Sequence, residues 1–76
     1  SSHGHLFGGA GALEMILGVL AIQRGIAPPI LNYLGPDPDC DVPLALGAAR
    51  NIDYQALVSN SFAFGGLNSV LVAKRV

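Results

Sequence analysis

Two short segments of this 76-residue chain carry the residue types that could do chemistry. The first is Gly4-His5-Leu6-Phe7-Gly8-Gly9-Ala10-Gly11, which places a histidine just before a glycine-rich entry into an apolar helix. In a site without water, a histidine N–H can stabilise an oxyanion or enolate as its charge develops. The alternative is a loop histidine that only fills space, and spacing alone favours that alternative.

The second segment is Asn60-Ser61-Phe62-Ala63-Phe64-Gly65-Gly66-Leu67-Asn68. Its paired glycines allow backbone conformations that a β-carbon forbids. Two aromatic residues beside them could form a flexible apolar gate with exposed backbone N–H groups. The alternative is a tight hairpin connection whose phenylalanines pack in a core.

A helix is predicted to follow the histidine segment. We expect a loop over residues 1–11 and a helix over residues 12–24, with Gly25 as its C-terminal stop and Pro28 and Pro29 preventing continuation. The helix is apolar on nearly all sides, which is typical of burial in a larger body. Gly11 and Gly18 each lower helix propensity by ~1 kcal/mol, and we interpret them as places where another backbone approaches closely.

Two strands are predicted to flank the phenylalanine segment. They cover residues 55–59 and 69–74, are rich in β-favouring residues, and should be antiparallel neighbours. Residues 32–51 contain many turn formers and little periodicity, so we expect a long surface crossing with one short strand or turn inside it.

Composition excludes some functions. Hydrophobic residues make up 51% of the chain and charged residues only 12%, fewer than the ~25–35% typical of the surface of a free-standing domain. A partner or further protein should therefore cover part of the surface. The net charge is −1 without a basic run, so nucleic-acid binding is not expected. The single cysteine, Cys40, cannot form an internal disulfide.

The apolar stretch Met15–Ile22 is far shorter than the ~20 residues of a membrane span, so no span is expected. The first residues, Ser1 to His5, carry no basic segment of the kind that opens a signal peptide.

Taken together, the motifs resemble the β-ketoacyl synthase family of condensing enzymes. The family pattern is Gly-His-Leu-x-Gly-Ala-Ala-Gly-x-x-Glu, then Pro-Pro-x-x-Asn, then Asn-Ser-Phe-Gly-Phe-Gly-Gly-x-Asn. The chain has these motifs in order over essentially its whole length: Gly4-His5-Leu6, Gly8, Ala10-Gly11, Glu14, Pro28-Pro29-Ile30-Leu31-Asn32 and the segment from Asn60 to Asn68.

The resemblance implies an α/β fold, namely the C-terminal part of a thiolase-like α-β-α-β-α layered fold with a buried helix followed by an antiparallel β-hairpin. Residues 1–76 would then be an incomplete domain. The implied reaction is a decarboxylative Claisen condensation in fatty acid biosynthesis. The implied partners are acyl and malonyl thioesters of acyl carrier protein, the remainder of the synthase chain and a second copy in a homodimer. No cofactor or metal is implied. The expected location is the cytoplasm, or alternatively a mitochondrial or plastid matrix.

The resemblance also assigns roles to residues. His5 would donate a hydrogen bond to the malonyl thioester oxygen, and Glu14 would support a family lysine whose position falls just before Ser1. An alternative for Glu14 is a first-turn acidic residue favoured by the helix dipole. Phe64 would be the gate and a backbone oxyanion donor, and Gly65 and Gly66 would give the gating loop its freedom. Phe62 is expected to be a packing residue.

Cys40 matches a surface stretch of the family and is not expected to be the nucleophile. The nucleophilic cysteine and the first catalytic histidine belong to the family's earlier part, so this segment alone should be inactive. Three residues depart from the family: His3 and Leu67 stand where threonine is usual, and Ala63 where glycine is usual. Ala63 is expected to stiffen the gate, and both Ala63 and Leu67 bear on substrate range. The alternatives are a polyketide ketosynthase and a non-catalytic subunit like a chain-length factor. Retention of His5 favours an enzyme.

Overall fold

The computed structural model describes all residues from Ser1 to Val76. A 3₁₀ turn, Phe7–Gly9, leads into helix α1, Ala10–Arg24. Two short strands follow, β1 (Ile26–Ala27) and β2 (Arg50–Asn51), and then two longer ones, β3 (Ala56–Phe62) and β4 (Asn68–Lys74). A second 3₁₀ turn, Phe64–Gly66, lies between β3 and β4. The predicted order of one helix followed by a two-stranded hairpin is confirmed.

Helix α1 begins two residues earlier than predicted, at Ala10 instead of Ala12. The prediction of a loop up to Gly11 is therefore wrong for its last residues, which form the 3₁₀ turn and the first helical positions. Glycine's low helix propensity is outweighed by packing here. Ala10 is one of the two buried residues of the chain, and a β-carbon on Gly11 would lie in ordinary contact with the Ser61 hydroxyl, at 3.7 Å.

The end of α1 lies where it was predicted. Gly25 has a φ of 65°, and its N–H reaches the carbonyl oxygens of Ala21 and Ile22. A left-handed glycine in this position is the usual way to satisfy the last carbonyls of a helix. The Gly25 carbonyl in turn accepts a hydrogen bond of 2.9 Å from the Ile52 N–H, which ties the helix end to the residues after β2.

The long connection over residues 32–51 is closed at its base by backbone pairing. β1 pairs with β2 in antiparallel fashion, and Ile30 and Leu46 form an isolated parallel bridge. Inside it, the N–H of Asp39 bonds the Asp37 side chain at 2.9 Å and the N–H of Cys40 bonds the Asp37 carbonyl at 3.0 Å. The predicted turn and short strand are both present. The pairing with β1 was missed because two-residue strands carry no detectable periodicity.

The β3–β4 hairpin is antiparallel, as predicted, but both strands are longer. The register pairs Ala56 with Lys74 at one end and Phe62 with Asn68 at the other. The connection therefore shrinks to residues 63–67, and its base is closed by a 2.8 Å hydrogen bond from the Ala63 N–H to the Leu67 carbonyl. Asn60, Ser61 and Phe62 belong to a strand and not to a loop.

Helix α1 packs on β3, and Gly18 marks the closest point. A β-carbon built on Gly18 would lie 3.0 Å from Cδ2 of Leu57. The prediction of a close approach is confirmed, but the neighbour is a side chain and not a backbone. A β-carbon at this position would press on the Leu57 methyl groups, which would have to shift by a few tenths of an ångström.

Most of the apolar surface stays exposed. Only Ala10 and Ile22 are buried, while helix residues such as Ile16 and outer strand residues such as Val72 are 57% and 69% exposed. The hairpin thus carries apolar side chains on both faces, a pattern typical of sheets that are covered on both sides.

The helical segment Phe7–Arg24 is long and apolar enough to satisfy the length and composition criterion for a membrane span. A core helix of a soluble protein satisfies the same criterion, so this is weak evidence. The expectation that the chain has no span stays a prediction.

Candidate functional site

A cleft of about 720 Å³ lies between the N-terminal turn, the start of α1 and the end of β3. His5, Glu14 and Phe64 all line it. These three residues come from three separate parts of the chain, and the sequence motifs point to each of them. The structure brings them together, although their catalytic roles remain predictions.

His5 reaches the cleft from a tightly turned backbone. Gly4 before it has a φ of 75°, which glycine adopts without strain. Phe7 after it has a φ of 50°, an outlier for an aromatic residue that typically costs about 1–3 kcal/mol. The His5 and Phe7 rings are 5.3 Å apart between centroids and tilted by 41°. This separation lies in the range of favourable aromatic pairs.

Glu14 projects from α1 toward the same cleft. It lies four positions after Ala10 and three after Gly11, a spacing that puts the three residues on one helix face, and all three line the cleft. Because the helix begins at Ala10, its first turn contains no acidic residue. The interpretation of Glu14 as a first-turn residue favoured by the helix dipole is therefore wrong, and its place on the cleft wall needs another explanation.

Phe64 lies at the tip of the β3–β4 connection and is fully exposed. It opens the 3₁₀ turn, where the first N–H groups have no partner inside the helical turn. Gly65 and Gly66 follow with φ values of 73° and 78°. Neither glycine lines the cleft. They shape the turn that presents Phe64, and their positive φ values explain why glycine occupies both positions.

The cleft also contains residues that the sequence did not identify as site residues. Phe7, Asn60 and Ser61 line it, and so does Phe62. Phe62, which is expected to be a packing residue, has a side chain that is 75% exposed in this segment, and its packing role stays a prediction. All three phenylalanines of the chain therefore share one cleft. Their positions in the two glycine-rich segments are the sequence signal that could have identified them as cleft residues.

Two other reactive residues lie outside the cleft. Cys40 is exposed on the Asp37 turn and forms no disulfide. His3 is exposed, and its Nδ1 lies 2.7 Å from the carbonyl oxygen of Gly4, as a donor to its own neighbour. Neither is among the residues that line the cleft. That Cys40 is not the nucleophile stays a prediction, and so does the interpretation of His3 as a variant loop residue.

Comparison with known proteins agrees with the family resemblance of the sequence motifs. Residues 1–34 match the model of the β-ketoacyl synthase C-terminal domain. Nodulation protein E of Rhizobium meliloti is 49% identical over the whole chain, and 3-oxoacyl-acyl-carrier-protein synthase 2 of Coxiella burnetii is 46% identical over the whole chain. A crystal structure of a β-ketoacyl synthase from Burkholderia phymatum superimposes on 87% of this chain with a TM-score of 0.77 and 43% identity.

The chain spans about a fifth of the length of these curated relatives, 19% and 18%, and 16% of the solved structure. Its helix and antiparallel strand pairs match the α/β, thiolase-like fold of that structure, which confirms the expected fold class. The matched domain, the two relatives and the solved structure agree with the motifs that line the cleft. The chain is a segment of the β-ketoacyl synthase family.

Proposed function

We propose that this chain is the part of a 3-oxoacyl-acyl-carrier-protein synthase that supplies the malonyl-activating histidine and the gating loop. The observation that carries the proposal is the meeting of His5, Glu14 and Phe64 at one cleft. The synthase activity belongs to the whole protein, which would also supply the nucleophilic cysteine and the first histidine.

His5 would act on the malonyl thioester. The bond between the malonyl α-carbon and its carboxylate breaks, CO₂ leaves, and the electron pair passes into an enolate. The enolate oxygen accepts a hydrogen bond from the His5 ring, which stabilises the developing charge. The enolate carbon then attacks the acyl thioester carbonyl, and the cysteine sulfur leaves as a thiolate. The open position of His5 beside Phe7 supports this role, because the imidazole makes no hydrogen bond inside the chain.

Glu14 would orient a lysine of the remaining protein. Its carboxylate forms no hydrogen bond within the chain and lies on the cleft wall beside largely apolar residues. A carboxylate in such surroundings is stabilised by a charged donor, and the family places a lysine close to the histidine motif. A bond between charged groups typically contributes about 1.5–3 kcal/mol.

Phe64 would serve as a gate through its ring and as an oxyanion donor through its N–H. The ring is fully exposed at the mouth of the cleft, on a turn whose two glycines have positive φ values. Ala63 has an extended backbone, with φ −131° and ψ 174°, and its β-carbon excludes the conformations open only to glycine. Motion of the gate would therefore be concentrated at Gly65 and Gly66.

The substrates would be acyl and malonyl thioesters of acyl carrier protein, and the whole enzyme would be a cytoplasmic homodimer. The family comparison supports carrier-protein substrates, since the Coxiella relative is named for them. The phenylalanines along the cleft supply an apolar wall of the kind that an acyl chain would contact.

Three alternatives differ from this proposal in product or in chemistry. The high identity to nodulation protein E supports a synthase with a role in nodulation, and a polyketide ketosynthase would share the same cleft. A subunit like a chain-length factor would keep the fold without catalysis. The presence of His5 in the cleft favours the catalytic alternatives.

The test is condensation by the complete protein that contains this segment. Incubated with acyl- and malonyl-carrier protein, it should release CO₂ and form a 3-oxoacyl-carrier protein two carbons longer, which mass spectrometry detects. Products from a series of acyl lengths would separate the fatty acid and specialised alternatives. The absence of both CO₂ release and elongation would contradict the proposal and favour the non-catalytic subunit.

A further inference from the structure

Phe7 has an unusual backbone and an unusual neighbour. Its φ of 50° lies in the left-handed region, where an aromatic side chain is seldom found. Strained residues of this kind persist only where the surrounding structure constrains them, and they are common at active sites. In this chain the strained residue lies two positions after His5, and its ring lines the cleft beside the imidazole.

Packing within this segment does not explain the position of the Phe7 ring. The side chain is 83% exposed here, so burial among the segment's own residues does not offset the strained backbone. Its one aromatic contact is with His5, at 5.3 Å between ring centroids and a tilt of 41°. The contact restricts how far the imidazole can swing away from the cleft, because the Phe7 ring occupies one side of it.

We infer that Phe7 is a positioning residue that holds the His5 imidazole toward the cleft, with the left-handed backbone at Phe7 directing its ring against His5. The inference rests on the proposed function, because it assumes that His5 acts on a substrate in the cleft. It concerns the position after the Gly-His-Leu motif where the family pattern names no residue.

Two variants of the complete protein separate positioning from folding. Phe7→Gly removes the ring and relieves the strain, since glycine adopts a positive φ freely. Its thermal midpoint should be unchanged or higher, while kcat for malonyl-carrier-protein decarboxylation falls by roughly three- to tenfold, as expected from loss of an aromatic pair. KM should stay unchanged. Phe7→Tyr keeps the ring and should retain the original kcat.

A second readout does not depend on activity. In the NMR spectrum of the complete protein, the ring protons of His5 should show the upfield shift that a neighbouring aromatic ring produces, and Phe7→Gly should abolish it. A glycine variant with the original kcat and unchanged His5 resonances would overturn the inference. If the unmodified protein shows no decarboxylation, the proposed function fails, and the NMR shift still decides whether Phe7 contacts His5.

Discussion

At the scale of single residues, Phe64 has two proposed functions that belong to different atoms. Gating requires the ring, whereas the oxyanion donor is the backbone N–H. The local backbone allows the two to be separated: Phe64 opens the 3₁₀ turn, and Ala63 before it is extended, with ψ 174°. Proline accepts helical φ values at a first helical position, and it requires an extended residue before it.

We therefore predict different effects for two substitutions of Phe64 in the complete protein. Phe64→Ala removes the ring and keeps the N–H, so it should alter acyl-length selectivity more than turnover. Phe64→Pro removes both and should lower kcat by a further ~10²–10³-fold, as expected for one lost oxyanion donor. Steady-state kinetics with acyl carrier proteins of several lengths would measure both effects. Equal kcat values for the two variants would exclude the N–H as a donor.

At the scale of elements, the sequence predicted those features that residues close together in the chain determine. Gly25 and the prolines after it defined the end of α1, and the β-branched runs located the hairpin. The start of α1 was misplaced because the burial of Ala10 outweighs the low helix propensity of Gly11. The pairing of β1 with β2 depends on residues far apart in the chain, which no local pattern encodes.

The candidate site, like the fold, was predicted from the sequence only in part. His5, Glu14 and Phe64 were identified because their motifs resemble a family pattern, and they meet at the cleft. Phe7 was missed because its role depends on a backbone angle and a ring contact that the sequence does not reveal. The packing role expected of Phe62 stays a prediction, because its side chain is 75% exposed in this segment and lines the cleft.

The α1–β3 contact yields a prediction about stability. Gly18→Val would place methyl groups where the Leu57 side chain lies, 3.0 Å from the β-carbon position, and should destabilise the complete protein by ~1–3 kcal/mol through overpacking. Leu57→Ala in the same background should recover part of the loss, because the two side chains compete for one space.

Chemical denaturation of the single and double variants would measure this coupling. Gly11→Ala is the matched control, since its β-carbon would meet Ser61 at an ordinary 3.7 Å, and it should not destabilise the protein. Additive losses for Gly18→Val and Leu57→Ala would contradict the proposed packing of α1 on β3.

At the scale of the whole molecule, the exposed apolar surface and the cleft have one explanation. A chain with two buried residues and apolar side chains on all sides of its helix and on both faces of its hairpin matches an inner part of a layered fold. Exposed apolar patches of this extent mark surfaces that other protein covers. Under the proposed function, the cleft would be one wall of a larger active site that further parts of a synthase complete.

The central claim is that His5 stabilises the negative charge that forms when malonyl-carrier protein loses CO₂. The most direct measurement compares decarboxylation rates of His5→Ala and His3→Ala in the complete protein. His3 is a matched control because it is an exposed histidine two residues away that does not line the cleft. We predict a loss of ~10²–10³-fold for His5→Ala and a near-unchanged rate for His3→Ala. Equal rates for the two variants would contradict the claim.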